Sequence, residues 1–114
     1  VFSESPEKLE NARKYFSRSK ALTITSSADW NLEITSYRAR KGIMVERAAA
    51  YYGISKEQIL IFGDGENDIS MFERFPHTRA MGNALPKLKT LAEKEIGTNR
   101  TDSVAYEIQK LLKL

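Results

Sequence analysis

The sequence holds no cysteine, a single tryptophan, a single histidine and three prolines among 114 residues. Without cysteine there is no disulfide framework, no thiolate metal site and no cysteine nucleophile. No apolar stretch approaches the roughly 20 residues that cross a bilayer. Nothing resembles a secretion signal, so we expect a cytoplasmic protein without membrane contact. Charge runs are missing as well: 18 basic and 15 acidic residues alternate to leave a net charge of +3, which argues against nucleic-acid binding. There are no internal repeats and no low-complexity segments. The chain opens on Val1 instead of methionine and runs straight into helical sequence, from which we expect a fragment of something longer. A chain of this length makes at most one small, modestly stabilised domain.

What is present is an orderly alternation of elements. Ser5 before Pro6 marks a helix start, and Leu9, Ala12 and Phe16 then share a face. "ALTIT" and "NLEIT" alternate apolar with polar residues and predict two strands joined through "SSADW" as a hairpin. After Arg40 the pattern becomes helix, strand, helix, strand, helix. In "KGIMVERAAAYYGIS" the residues Met44, Ala48, Tyr51 and Tyr52 share a face, and Gly53 stands where a left-handed cap is wanted. Ser55 and Gln58 make a short capping box before "ILIF", whose continuous apolarity predicts a strand buried on both faces of a parallel sheet. "ISMFERF" and "PKLKTLAEK" predict helices, "TRAMGN" and "EIGT" short strands, and Val104, Ile108, Leu111 and Leu112 a final helix after Asp102. The alternation predicts an α/β layer structure.

One stretch departs from this texture. "GDGENDIS", Gly63 to Ser70, places two aspartates, a glutamate and an asparagine within five positions directly after the apolar strand. A calcium EF-hand would need glycine and glutamate where Ile69 and Phe75 stand. A dinucleotide fingerprint would need glycine where Asp68 stands, and the lysine of a phosphate-binding P-loop is absent. What remains is a carboxylate cluster at the carboxyl end of a buried strand, the edge at which open α/β sheets bind ligands. Crowded carboxylates are costly unless a cation offsets them, and Mg²⁺ is held by one or two carboxylates with water and phosphate. Asp64 and Asp68, four residues apart, can approach one point if a helix begins near Glu66. Asn67 adds an amide donor for a phosphate oxygen. The competing reading is that Asp64 and Glu66 merely cap the helix over a solvated turn.

The same residues resemble a known pattern. "GDGENDISMF" is similar to the fourth motif, Gly-Asp-x-x-Asn-Asp, of the haloacid dehalogenase superfamily, and specifically of its Cof-type members with a large cap. Lys41 and Gly42 resemble that group's third motif. The likeness continues through "YYGISKEQILIFGDG", "AMGNALPKLK" and "TNRTDSVAYEI", from Arg40 to the C-terminus. "NLEITSYRARKG" and the hairpin resemble the last helix and two strands of the cap.

The resemblance implies a division at residue 39: residues 1–39 as the C-terminal part of an α+β cap, and 40–114 as the C-terminal half of a Rossmann-like core, a parallel sheet flanked by helices. It implies a Mg²⁺-dependent hydrolase of phosphate monoesters, acting on sugar phosphates or similar small phosphorylated metabolites through an aspartyl-phosphate intermediate. Asp64 would ligate the metal, with Asp68 also at the metal site or orienting its surroundings. Lys41 would neutralise the nucleophile and the phosphoryl oxygens, and Asn67 would hold phosphate. Gly63 and Gly65 would let the loop turn sharply toward the metal.

One feature of the family is missing: no Asp-x-Asp, the motif of nucleophile and general acid, occurs in the chain, and Asp29 in "SADW" does not fit it. Covalent catalysis needs that carboxylate. We therefore expect the chain alone to be inactive and to self-associate, either through an uncovered strand edge or by exchanging elements between copies. The alternative function is a non-catalytic cation-binding or regulatory module, against which Lys41 argues. Of the remaining residues, His77 fits a surface loop, and Trp30 fits packing on the hairpin sheet. Arg38 and Arg40 fit either a phosphate-attracting junction or a solvated basic stretch. The Asn99-Arg100-Thr101 triplet fits coincidence better than glycosylation.

Overall fold

The computed structural model describes residues 1–114. Ser5 caps the first helix, α1 (Pro6–Phe16), its Oγ accepting from the Lys8 amide at 3.4 Å while Pro6 fills the first turn. The expected hairpin follows as β1 (Leu22–Thr25) and β2 (Glu33–Ser36), paired antiparallel with Ile24 opposite Ile34. A short 3₁₀ turn at Tyr37–Ala39 leads into α2 (Lys41–Tyr52), which ends on Gly53 at φ 66°, the left-handed conformation that favours glycine. Gln58 accepts from the Ser55 amide at 3.0 Å, one half of the expected capping box.

The second sheet is parallel. β3 (Leu60–Gly63), β4 (His77–Ala80) and β5 (Lys94–Glu95) lie in the order β3-β4-β5, connected through α3 (Ile69–Phe72) and α4 (Pro86–Leu91). The closing helix is α5 (Ser103–Leu112). This is the α/β class that the alternation implied, a parallel sheet flanked by helices together with an antiparallel hairpin. The expected elements are all present with their ends moved: β3 lies one residue later than expected, β4 begins one residue early at His77 and stops at Ala80, α3 has 4 residues after a 3₁₀ turn at Glu66–Asp68, and β5 has only 2, Lys94 and Glu95. No helix is long and apolar enough to cross a membrane.

The apolar core sits between the parallel sheet and its helices, built on Ile61, Phe72, Phe75, Ala80, Met81 and Leu88. The face of α2 shared by Met44, Ala48, Tyr51 and Tyr52 is exposed, and Gly42 and Ala49 are the buried residues. The helix approaches its neighbour α3 through its smallest residues, which leaves the broad aromatic side uncovered. Two expectations of burial are corrected. β3 is not buried throughout: Ile61 and Gly63, on the face toward Phe72 of α3, are covered, whereas Leu60 and Phe62, on the opposite face, are half covered. Trp30 does not pack on the hairpin sheet; it is 57% exposed and stacks on Phe2 at 5.8 Å.

α5 is also held differently from its pattern. Ile108, Leu111 and Leu112 are exposed, while Ser103 and Glu107 are buried. Glu107 accepts from Arg79 Nε at 2.6 Å and Lys94 Nζ at 2.7 Å, so α5 docks on β4 and β5 through ion pairs. The Lys94 and Arg79 hydrogen bonds hold the Glu107 carboxyl below the usual carboxylate range. Arg79 in turn reaches Glu93, whose carboxyl is lowered mainly by that hydrogen bond. His77 opens β4, half exposed, with Nδ1 3.3 Å from Glu93. The whole chain is drawn out, 49 × 34 × 20 Å with a radius of gyration of 15.9 Å, against about 13 Å for a sphere-like domain of this length.

Candidate functional site

The carboxyl end of β3 carries the site. After Gly63 the chain turns through Asp64 and Gly65 into the 3₁₀ turn Glu66–Asp68, and Asp68 folds back over it. Its Oδ2 accepts from the backbone amides of Asp64 at 3.0 Å and Gly65 at 3.2 Å, which fixes the loop from within. A Cβ on Gly63 would stand 2.8 Å from both Asp68 Cβ and the Phe72 ring. Space, and not a left-handed backbone, is thus what requires glycine at 63, since Gly53 is the only glycine with positive φ. Gly65 sits at φ −107°, an ordinary extended conformation.

Lys41 enters from the first turn of α2. Its Nζ lies 2.6 Å from Asp68 Oδ1, and the Asp68 side chain is only 8% exposed while that of Lys41 is 49% exposed. The lysine therefore neutralises a buried carboxylate and keeps its outer side toward solvent. This contact requires α2 and α3 to lie close together. Gly42 N donates to Ser70 Oγ at 3.0 Å, and a Cβ on Gly42 would fall 2.1 Å from the Ser70 carbonyl oxygen. Arg40, the residue before α2, makes no side-chain cap; its Nε donates to Thr23 Oγ1 at 2.8 Å and its guanidinium lies over the Tyr37 ring.

Asp64 is placed differently from Asp68. It is exposed, and one carboxylate oxygen accepts from Asn83 Nδ2 at 3.2 Å, with Asn83 in turn accepting from the Asn99 amide at 2.9 Å. The other oxygen has no partner within the chain. Asp64, Asn67, Asp68 and Lys41 line a cavity of about 510 Å³ that is roofed by the loop Ser26–Asp29. Asn67 has no side-chain hydrogen bond of its own and also faces a second cavity of about 370 Å³, beneath the hairpin, walled by Thr23, Thr25, Thr35, Arg40 and Lys87.

The donor set suits Mg²⁺, which takes one or two carboxylates and completes its octahedron with water and phosphate oxygens. Asp64 offers a free carboxylate oxygen, whereas both Asp68 oxygens are already engaged. No group of three or more carboxylate or histidine side chains converges as a complete protein cage.

The structure thus brings Lys41, Asp64, Asn67 and Asp68 around one cavity. The residues that sequence reasoning passed over are those that hold them: Ser70 and Asn83, together with Arg13 and Ser26, which both bond to Glu66. Lys87, which reads as an ordinary lysine on a solvated helix face, stands on the wall of the hairpin cavity. Arg38 is exposed away from both cavities. Asn83 had a local signal in the "GN" turn after β4. Arg13 had none, since nothing in a helical arginine announces a partner 53 positions away.

Comparison with known proteins places the fold in a family. The chain is 38% identical to Phosphatase YwpJ of Bacillus subtilis and 37% identical to the 5-amino-6-(5-phospho-D-ribitylamino)uracil phosphatase YwtE of the same organism. Each match covers 97% of this chain and 39% of the relative, so the chain spans about two fifths of the curated relatives' length. A solved haloacid dehalogenase-like hydrolase from B. subtilis superposes with a TM-score of 0.90 at 37% identity, covering 96% of this chain and 39% of that one. The family model described as haloacid dehalogenase-like hydrolase matches residues 1–108. The chain belongs to the haloacid dehalogenase-like hydrolase family, in its Cof-type branch.

Proposed function

We propose that the chain supplies the metal-holding and phosphate-holding side of a phosphate monoester hydrolase whose substrate is a small, hydroxyl-rich phosphorylated metabolite. The observation that carries this reading is the Lys41 ammonium, 2.6 Å from Asp68, in the cavity that the partly unpaired carboxylate of Asp64 also lines. Cation binding alone asks nothing of this ammonium beyond its ion pair with Asp68, whereas phosphoryl transfer also uses its solvent-facing side to offset the charge of substrate and nucleophile. The substrate class is supported by the relative YwtE, whose name specifies a phosphorylated ribityl compound, and by the hydroxyl side chains of Thr23, Thr25 and Thr35 along the hairpin cavity.

In this reading residues 1–39 close a cap and residues 40–114 form half of the core. Asp64 holds Mg²⁺, which when bound supplies Lewis-acid stabilisation of charge on the phosphoryl oxygens. Asp68 orients Lys41 and the loop, and Asn67 donates its amide to a phosphate oxygen. An aspartate from outside these 114 residues forms a bond to phosphorus as the bond to the substrate oxygen breaks, and the general acid of the same motif gives that oxygen the proton with which it leaves as the alcohol. Water then cleaves the aspartyl phosphate and releases inorganic phosphate. The unpaired edge of β3, which ends at Gly63 just before Asp64, is a place where a strand bearing that aspartate can pair. In the complete gene product, Asp64→Asn is expected to lower Mg²⁺-dependent turnover of p-nitrophenyl phosphate about 10²- to 10³-fold. Undiminished activity would remove Asp64 as the ligand. No stimulation of the unaltered protein by metal at any pH would favour a cation-binding module instead.

A further inference from the structure

Glu66 sits between the two aspartates of the site and lines the same cavity, yet its carboxylate pairs with neither Lys41 nor any other residue of the core. Its carboxylate is taken up by three donors from the N-terminal segment. Arg13, in the last turn of α1, places Nη1 3.1 Å from Oε1 and Nη2 3.2 Å from Oε2, and the Ser26 amide donates to Oε2 at 2.7 Å. A planar guanidinium on both oxygens of a carboxylate is the strong, directional form of this pair. Here it is only about a third exposed, at 30% and 31% for the two side chains. Arg13 Nη1 also donates to the Ile24 carbonyl at 3.3 Å, so the same group fixes the end of β1.

The segment hung from Glu66 is itself rigid. Asn31 Oδ1 accepts from the amides of Ser27 and Ala28, each at 3.1 Å, and Ser26 Oγ donates to the Ala28 carbonyl at 2.6 Å. Asp29 takes no part in this web. It is exposed, and it lines the cavity shared with Lys41, Asp64 and Asn67. A free carboxylate repels a phosphoryl group, so its place opposite the phosphate-holding residues suits hydroxyl donors of the rest of the substrate. We infer that Arg13 and Glu66 are positioning residues that hold the loop 26–29 over the site, so that Asp29 accepts hydrogen bonds from the hydroxyls of the leaving alcohol and sets specificity. This inference rests on the phosphatase reading above.

The test compares Arg13→Met, Glu66→Gln, their double variant and Asp29→Asn in the complete protein with two probes. Ribitol 5-phosphate carries hydroxyls to be read, and p-nitrophenyl phosphate does not. The ratio of kcat/KM for the first to the second is expected to fall about tenfold in each single variant, chiefly through KM for ribitol 5-phosphate. The double variant is expected to be no worse than either single one, since both cut the same tie. The Ser26 amide is expected to exchange its hydrogen faster in the Arg13 and Glu66 variants. An unchanged ratio, even with both probes slowed, would overturn the specificity role, and additive losses would overturn the shared tie. If the unaltered protein turned over neither probe, the phosphatase reading and the role of Asp29 would fall together. Slow exchange at Ser26 in that protein and fast exchange in the variants would then still establish the tie, and fast exchange in all of them would remove it.

Discussion

Along residues 1–39 only Leu9, Asn31 and Leu32 are buried, whereas between Ile61 and Leu88 eight buried apolar side chains pack as one cluster. The first region is held by its hairpin ladder, by the hydrogen bonds of Asn31 and by the ties of Glu66. The second is held by apolar area removed from water. Apolar packing is non-directional and tolerates little change in volume, while a polar tie is directional and can be cut one bond at a time. The difference gives the site a firm floor and an adjustable roof.

The comparison breaks first if the floor is not firm. Leu88 is fully buried at 0% exposure, and Leu88→Ala is expected to cost about 4 kcal/mol in urea unfolding. A cost below about 1 kcal/mol would mean that apolar packing does not hold the sheet region. Next comes the one place where that region relies on charge. Glu107→Gln leaves Arg79 with Glu93 alone and is expected to cost about 3 kcal/mol at neutral pH. Because the Glu107 carboxyl is held below the usual range by Lys94 and Arg79, its contribution is complete above an unfolded-state value of about 4.3 and is lost as pH falls through the lower folded value. The variant should therefore lose less stability than the parent on acidification, and equal acid slopes would contradict the assignment.

Between floor and roof stands Lys41. In the complete protein Lys41→Ala is expected to slow turnover about 10²-fold, whereas Lys110→Ala, on an exposed turn of α5, should leave it nearly unchanged. Lys87 is unsuitable as a control because it lines the hairpin cavity. Similar small effects from Lys41 and Lys110 would take Lys41 out of the site. The smallest effect sharpens the comparison most. Asn31→Ala removes an acceptor shared by two amides and is expected to cost about 1 kcal/mol, seen as faster hydrogen exchange at Ser27 and Ala28 with β4 unchanged. Equal loosening of β4 would show a single cooperative unit.

How far the sequence announces this arrangement follows the same division. The helix starts at Ser5 and Pro86, the cap at Gly53 and the strand-to-loop break at Gly63 are local events, so residue order shows them directly. The grouping of Asp64, Asn67 and Asp68 is equally local. Periodicity placed the helices but not their partners, since Tyr51, Tyr52 and Leu112 are exposed. A pattern records which side of a helix is apolar and says nothing of what lies against it. The Arg13–Glu66 pair and the buried Arg79–Glu107 pair were illegible because each joins residues far apart in sequence, 53 and 28 positions respectively.

Position 42 shows how such spacing constrains change over evolutionary time. With 2.1 Å between an added Cβ and the Ser70 carbonyl oxygen, even alanine drives α2 off α3. The residue displaced with it is the neighbour, Lys41, whose Nζ must reach Asp68. The smallest side chain in the helix therefore sets the reach of a long one. A step away from glycine at 42 thus disturbs the packing of α2 on α3 and the site through one and the same contact.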